Sequence, residues 1–315
     1  MSAVVPGPIR SILERGSFCH VGVSTPAGPH VTPMVFAAAG DGVWVTTSRG
    51  SVKARAWRTD PRVAGSVRDG ERAVAFTGTV TTYDLLDAES WGRSLTHGPL
   101  LALAGARFTR KNARFFAGYA VDAQHMPLGW TPPGRVFAEI RIERSALLEG
   151  GRVASAWGDW GNAVEGAERF RAVRAGEPVL SNAPGVALGD RGVGALGLET
   201  PGGPVVLPIR WVVQGGGVYA CAHEETLALA EAKGTPRAAL AIDRPSTWRA
   251  REMVGAMVRG DGEIAVASRL ASGASSAARI ARLAGLDDVG AAILRLRPAT
   301  VVWWRGWTSG SVSIR

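Results

Sequence analysis

Apolar and polar residues alternate along much of this chain, the two-residue period of strands that bury one face. Residues 19–25 alternate, a Pro/Gly turn follows, and residues 30–39 and 42–48 predict two further strands joined by a short Gly-Asp-Gly loop. Residues 51–59 predict a short helix, which Ser51 is placed to cap and Pro61 to stop. Strands are predicted again over 63–67, 73–82 and 136–144, while 85–120 has a helical pattern. That makes about six antiparallel strands with one helix between the third and fourth.

The pattern then occurs a second time. TPAGPHVTP, from Thr25, returns as TPGGPVVLP from Thr200, and an offset of 175 holds for about forty residues without a gap. Pro33 falls on Pro208, Gly42-Val43-Trp44 on Gly217-Val218-Tyr219, and Pro61-Arg62-Val63-Ala64 on Pro236-Arg237-Ala238-Ala239. Val80 and its neighbours match Val254 to Met257 after a shift of about two residues, and Leu147-Leu148-Glu149-Gly150 matches Trp303-Trp304-Arg305-Gly306 at an offset of 156. The first copy is thus expected to hold about 21 extra residues, assigned to a helical insertion at about 85–133.

Short strands of this number close most readily into small barrels, which removes exposed sheet edges. The expected fold is mainly β: two six-stranded antiparallel split barrels, packed as an intrachain pseudo-dimer that could dimerise again. Residues 1–150 form the first barrel, 151–190 a Gly/Trp/Arg-rich linker and 191–315 a second, degenerate barrel.

Composition refines this picture. Forty-one glycines and 18 prolines among 315 residues, with no collagen-like period, favour many turns over long helices. No apolar run approaches the roughly 20 residues of a membrane helix, and MSAVVPGPIR has no secretory signal pattern, so a soluble cytoplasmic protein without a membrane partner is expected. Cys19 and Cys221 are too few for a disulfide framework. His20, His30, His97, His125 and His223 show no metal-ligand spacing, so no metal is expected.

The formal charge of +9 raises the question of nucleic acid. The chain has no basic tail, and 33 of its 36 cations are arginine, which argues against a nucleic-acid partner. Instead the first half concentrates charge: seven cations against three acids between Arg49 and Arg72. Thr46, Thr47, Ser48 and Ser51 add hydroxyls there, and a helix starting near Ser51 aims free N–H groups and its positive dipole end at the same place, with Lys53 on its first turn. A phosphate monoester suits that setting. In the second copy Ser48, Arg49, Ser51, Lys53 and Arg55 become His223, Glu224, Thr226, Ala228 and Ala230, so one competent site is expected.

The segment HVTPMVFAAAGDGVWVTTSRGSVKARAWRTDPRVAG, His30 to Gly65, resembles the core signature of the pyridoxamine 5'-phosphate oxidase-like, FMN-binding split-barrel superfamily. The likeness lies in T-P-x-x-F on one strand, Thr-Thr-Ser closing the next, G-S-x-K-x-R opening a helix and D-P-R-V closing it. It implies an FMN or deazaflavin cofactor between the barrels, with a haem-binding variant needing a histidine ligand, for which His97 and His125 are candidates. Carried over, Thr32, Pro33, Met34 and Val35 would touch the ring, and Thr46, Thr47, Ser48, Ser51 and Lys53 the phosphate side. Many members also place an arginine on the second strand. Residues 30–36 hold none, leaving Arg49, Arg55 or Arg58 as replacements.

The implied activity is an oxidoreductase passing hydride to or from a small planar or unsaturated substrate; the alternative is a non-catalytic flavin- or haem-binding carrier or sensor. No catalytic acid or base stands out. Gly192-Val193-Gly194-Ala195-Leu196-Gly197 spells G-x-G-x-x-G but precedes a turn rather than a helix, so a dinucleotide fold is excluded. Of Trp303 and Trp304, alternation sends one to a core and the other to an interface.

Overall fold

The computed structural model describes residues 5–84, 86–122, 134–167, 170, 172–173, 179–183, 186–270, 274–286 and 290–314. The first half runs α1 (Gly7–Arg15), β1 (Phe18–Val23), β2 (His30–Ala39), β3 (Gly42–Ser48), α2 (Val52–Thr59), β4 (Arg62–Asp69) and β5 (Arg72–Tyr83). Three helices follow, α3 (Ala88–Thr96), α4 (Gly98–Lys111) and α5 (Ala113–Val121), then β6 (Arg135–Glu149) and β7 (Arg152–Trp157). The second half runs β8 (Arg191–Thr200), β9 (Gly203–Gln214), β10 (Gly217–His223), α6 (Glu224–Ala228), β11 (Arg237–Arg244), β12 (Val254–Val266), α7 (Ala274–Leu283), β13 (Ala291–Arg305) and β14 (Thr308–Ser313).

Each half is a closed six-stranded antiparallel barrel with one extra strand. The sheet orders are β3-β2-β1-β4-β5-β6-β7 and β10-β9-β8-β11-β12-β13-β14, closed by the β3–β6 and β10–β13 pairings. Core positions repeat in register: Val21, Val23, Met34, Phe36, Val43 and Val45 of the first core become Leu196, Leu198, Ile209, Trp211, Val218 and Ala220 of the second. One change is compensated across paired strands. Gly65 leaves room for the ring of its partner Phe76, whereas Leu240 and Val258 share the same space in the second barrel.

Register corrects the second part of the repeat. Arg62 pairs with Thr79 and Arg237 with Asp261, so the offset on β5 is 182, not the shift of about two residues read from sequence. The second copy therefore has seven extra residues in its β11–β12 hairpin. The offset of 156 holds on β6, where Glu149 faces Arg152 as Arg305 faces Thr308. Hence the first copy carries 26 more residues between β5 and β6. The helical character of that connection is not itself an insertion, because the matching connection of the second barrel contains α7.

Two segments with weak sequence signals close the barrels. α1 buries Ile9, Ile12 and Leu13, an i, i+3, i+4 stripe, in the first core. Val179, Leu180, Ala183 and Leu188, within the stretch read as linker, pack into the second core. β7, also in that stretch, pairs with β6.

The barrels pack about a pseudo-twofold axis, and their contacts are reciprocal. A Cβ at Gly22 would collide with Val206, and one at Gly197 would collide with Val31, the same pair with the halves exchanged. Arg62 donates to the Pro201 carbonyl at 3.3 Å, and Arg237 to the Pro26 carbonyl at 2.7 Å. Between them Val31, Ala64, Ala195, Val206, Ala239, Ala241 and Met257 form an apolar seam. Among the described residues no helix is long and apolar enough to cross a membrane.

Candidate functional site

The turn from β3 into α2 is built by side-chain hydroxyls. Ser51 caps α2, its Oγ accepting the Ala54 N–H at 3.1 Å, and it also accepts the Thr47 hydroxyl at 2.9 Å. Both lone pairs of Ser51 Oγ are thereby engaged, which leaves its proton to donate elsewhere. A helix N-terminus with such a donor attracts anions. Thr46 turns the other way: its hydroxyl donates to the Val136 carbonyl at 3.2 Å and accepts from Arg135 Nε at 3.1 Å, while Arg135 Nη2 donates to the Thr46 carbonyl at 2.9 Å. Ser48 ends β3, half-buried.

Lys53 is 4% exposed, and its ammonium donates to Thr32 Oγ1. Burial pulls its pKa down to about 7. Among the described residues no carboxylate bonds it. His30 stands nearby and is kept neutral, its pKa lowered to about 3 by burial and then by Lys53 and Arg259. Burial raises the Cys19 thiol to about 12, so it stays protonated and serves as core packing.

Alternation divides the four β2 residues. Thr32 and Met34 turn inward, Met34 joining Phe36 in the core, while Pro33 and Val35 lie on the face of Val31, whose N–H donates to Met257 Sδ of the second barrel at 3.2 Å. Val302 and Trp304 of β13 pack on the same seam. The Trp304 ring lies where a Cβ on Gly255 would be, and its buried indole N–H has no acceptor among the described residues. Trp303 packs instead on the second core, so the tryptophan pair divides between core and interface.

Arg49 is not with the other site residues. It pairs with Asp84, and Arg58 donates to its carbonyl at 3.4 Å, beside a cavity of about 630 Å³ lined by Trp57, Arg58, Thr81 and Asp84. The cations from Arg49 to Arg72 are likewise not one patch, because Arg62 pairs with Asp60 and Arg72 with Glu149. Arg55 remains on the α2 side that faces the second barrel, whereas Lys53 turns to Thr32 within the first.

Sequence reasoning missed the residues brought in from a distance. α5 spans to the second barrel: Asp122 pairs with Arg249 and with Arg251 at 3.4 Å, Tyr119 meets Trp307 at 5.3 Å, and Gly118 lies against the Trp248 carbonyl with no room for a Cβ. The long first-barrel connection and the long β11–β12 hairpin, the two departures from the repeat, therefore dock on each other. Arg259 and Arg237 enter from the second barrel, lining with Val52, Arg55 and Ala56 a cleft of about 710 Å³ between the barrels. Only the excess of unpaired arginine could have flagged them. His97 bonds the Tyr83 hydroxyl at 3.2 Å in the aromatic cluster that seats the insertion, and His125 lies outside the described residues.

Residues 7–96, within the first barrel, match the family model described as pyridoxamine 5'-phosphate oxidase. No curated protein matches the chain. Among solved structures, a conserved hypothetical protein of Mycobacterium tuberculosis is 21% identical, the match covering 47% of this chain and 86% of that one at a TM-score of 0.33. A protein described as F420 reductase is 23% identical over 45% of this chain and 98% of its own, at a TM-score of 0.30. A pyridoxamine 5'-phosphate oxidase-related, FMN-binding protein of Nostoc punctiforme is 16% identical over 45% and 78%, at a TM-score of 0.32.

Proposed function

We propose that the chain is a flavin- or deazaflavin-dependent oxidoreductase with one cofactor site, on the first barrel, acting on a small planar or unsaturated molecule. The observation that carries this reading is the α2 N-terminus: a doubly accepting Ser51 with a proton to give, beside a buried Lys53 with no counter-ion among the described residues. A phosphate would supply the missing charge, and Ser51, oriented by Thr47, and the first-turn N–H groups of α2 would hold it. Pro33 and Val35 would form one wall for a ring. Trp304 would form the other, its unpaired indole N–H finding an acceptor on the ligand.

When bound, a flavin or deazaflavin supplies two-electron hydride chemistry. The chain's own contribution would be to orient the ring and keep water from it, the apolar seam around Met257 and the docked α5 being the parts that would exclude solvent. His30 is held neutral, so it does not serve as an acid at ordinary pH. The visible spectrum of the purified protein tests the reading, with a flavin or deazaflavin band expected. Lys53→Ala combined with Ser51→Ala should weaken cofactor binding by about 1–3 kcal/mol, as for lost charge-assisted hydrogen bonds. A colourless protein that takes up neither cofactor on titration would sink the reading.

A further inference from the structure

One charged pair crosses the seam between the two walls proposed for the ring. His20 Nε2 lies 2.6 Å from Asp243 Oδ1, a bond from one barrel to the other. Strand alternation fixes the face that each residue occupies. Cys19 and Val21 point into the first core, so His20 points out of it, on the face of its β2 partner Pro33. On β11, Ala239 and Ala241 lie in the seam, and Asp243 follows them on the same face. Asp243 pairs with Gly255 and Gly255 with Trp304, whose ring fills the place of the missing Cβ. The pair thus joins two rows of residues, one ending in Pro33 and the other in Trp304.

The other side of the pseudo-twofold axis lacks this pair. His20 pairs with Ser66 as Ala195 pairs with Ala241, so Ala195 is the counterpart of His20, and Arg68 that of Asp243. Arg68 lines a cavity of only about 30 Å³ with Pro208, Ile209 and Arg210, the counterparts of Pro33, Met34 and Val35. By the same symmetry Asp243 stands toward Pro33 and Val35, on the side that kept Ser51 and Lys53. As a strut the pair is poorly built. The Asp243 carboxylate is 4% exposed, and its Oδ2 is buried with no hydrogen-bond partner among the described residues. An unsatisfied buried oxygen costs about as much as the single bond to His20 returns, so net stability does not explain the pair. His20 makes no other side-chain hydrogen bond among the described residues, and with Nε2 committed, Nδ1 is the nitrogen left to exchange a proton.

We propose that His20 is the acid–base residue of the site and that Asp243, from the other barrel, is its positioning residue. This rests on the reading of the site as the centre of a flavin- or deazaflavin-dependent oxidoreductase. Asp243 accepts the Nε2 proton and stabilises the imidazolium, which leaves the Nδ1 proton to give. As an unsaturated substrate gains a hydride, with its electron pair, from the reduced cofactor, the Nδ1–H bond breaks and that proton bonds to the substrate. The substrate is thereby reduced and the cofactor oxidised by two electrons. The imidazole ends neutral and recovers a proton from water. In the opposite direction neutral Nδ1 takes the proton as a base.

The test uses the full chain loaded with FMN, or with 5-deaza-FMN where only that binds, reduced and mixed with menadione in single turnovers. The wild type should reduce this small planar quinone faster than the same concentration of free reduced cofactor does. His20→Gln should slow the transfer by roughly a hundredfold, the lower end of general acid–base catalysis, and leave the Kd for the cofactor unchanged. Asp243→Asn should slow it less. The pair is also read without turnover, in the 15N NMR spectrum of the unloaded chain. Neutral His20 should carry its proton on Nε2, and Asp243→Asn, whose amide can donate to that nitrogen, should move the proton to Nδ1. A wild-type rate no higher than that of the free cofactor, a rate that His20→Gln does not lower, or a wild-type ring proton on Nδ1 overturns the assignment and leaves the cofactor reading intact. So does a His20→Gln variant that loses the cofactor, since His20 would then belong to its socket. A ring proton that Asp243→Asn leaves on Nε2 overturns the positioning role. If the wild type binds neither cofactor, the cofactor reading itself falls, and this step falls with it.

Discussion

The two helix N-termini on either side of the pseudo-twofold axis began as the same structure and now do opposite things. At α2, Ser51 caps the helix and Lys53 stands buried behind it. At α6, Thr226 donates to the Gly151 carbonyl at 2.8 Å, Ala228 replaces the lysine, and Glu225 Oε1 accepts the Val153 N–H at 3.2 Å. The β6–β7 turn and the segment through Trp160 have grown over α6, with Gly161 packed on the Ala228 carbonyl so closely that no Cβ would fit. The lesson is that the scaffold tolerates either a buried lysine or an internal plug of chain at this place, and duplication allowed one of each.

Where the halves still agree, equal perturbations should have equal cost. β5 bulges at Thr77/Gly78 and β12 at Arg259/Gly260, and in each the glycine lets a backbone carbonyl of the next strand approach. A Cβ at Gly78 would overlap the Arg141 carbonyl oxygen, and one at Gly260 the Arg297 carbonyl oxygen. Gly78→Ala and Gly260→Ala should each cost about 3 kcal/mol or more in denaturant unfolding, the upper range of overpacking, because backbone must move. A tolerated change in one barrel alone would show that the bulges are no longer alike.

Much of this architecture was legible because strand alternation and a 175-residue echo are local signals. The six-stranded barrels, the Ser51 cap and the loss of cations in the second copy could all be read from single positions. The register on β5 could not, since bulges and a seven-residue hairpin extension shift the strand without changing its composition. The site was half legible. Thr47, Ser51 and Lys53 sit in one sequence window, but which face Met34 or Arg49 takes depends on pairing, and Arg259, Tyr119 and Trp304 arrive through contacts more than 60 residues away. Charge counting failed for a related reason. It sums cations that Asp84 and Glu149, outside the counted window, neutralise only in three dimensions.

The sharpest difference between the two sides is Lys53 against Ala228, and pH should expose it. An unfolded lysine titrates near 10.5, whereas burial lowers Lys53 to about 7. Below about pH 7 both states hold the proton, and stability carries the full burden of a desolvated ammonium. Between about 7 and 10.5 only the unfolded chain holds it, so stability should rise with pH across that window. Lys53→Met should reduce this rise to the share left by Lys111, whose pKa burial lowers to about 8, and stabilise the protein at pH 6 by about 1–4 kcal/mol, the range found when buried charge gives way to packed apolar groups. Unfolding free energies of wild type and variant from pH 6 to 10 check this. Parallel profiles would mean that Lys53 is compensated in solution by something other than a ligand.

The smallest expected effect separates the two sides most cleanly. Arg62 and Arg237 make matching contacts across the axis, each donating to the carbonyl of the other barrel's Thr-Pro turn, and each is about half exposed. Their energetic worth should be that of exposed charge-assisted contacts, about 0.5–1 kcal/mol on truncation to alanine, with Arg237→Ala the larger because its bond is shorter. The two positions lie on opposite sides of the seam and share no partner, so the double variant should be additive within about 0.5 kcal/mol. Stability therefore hardly distinguishes them, but ligand binding should. Arg237 borders the cleft of Arg55 and Arg259, while Arg62 borders the one that Arg144 and Asp159 occupy. Arg237→Ala should change the affinity for a phosphorylated ligand and Arg62→Ala should not. Equal loss from both would mean that the plugged side still takes part in binding, and that the asymmetry between the barrels is one of shape rather than of function.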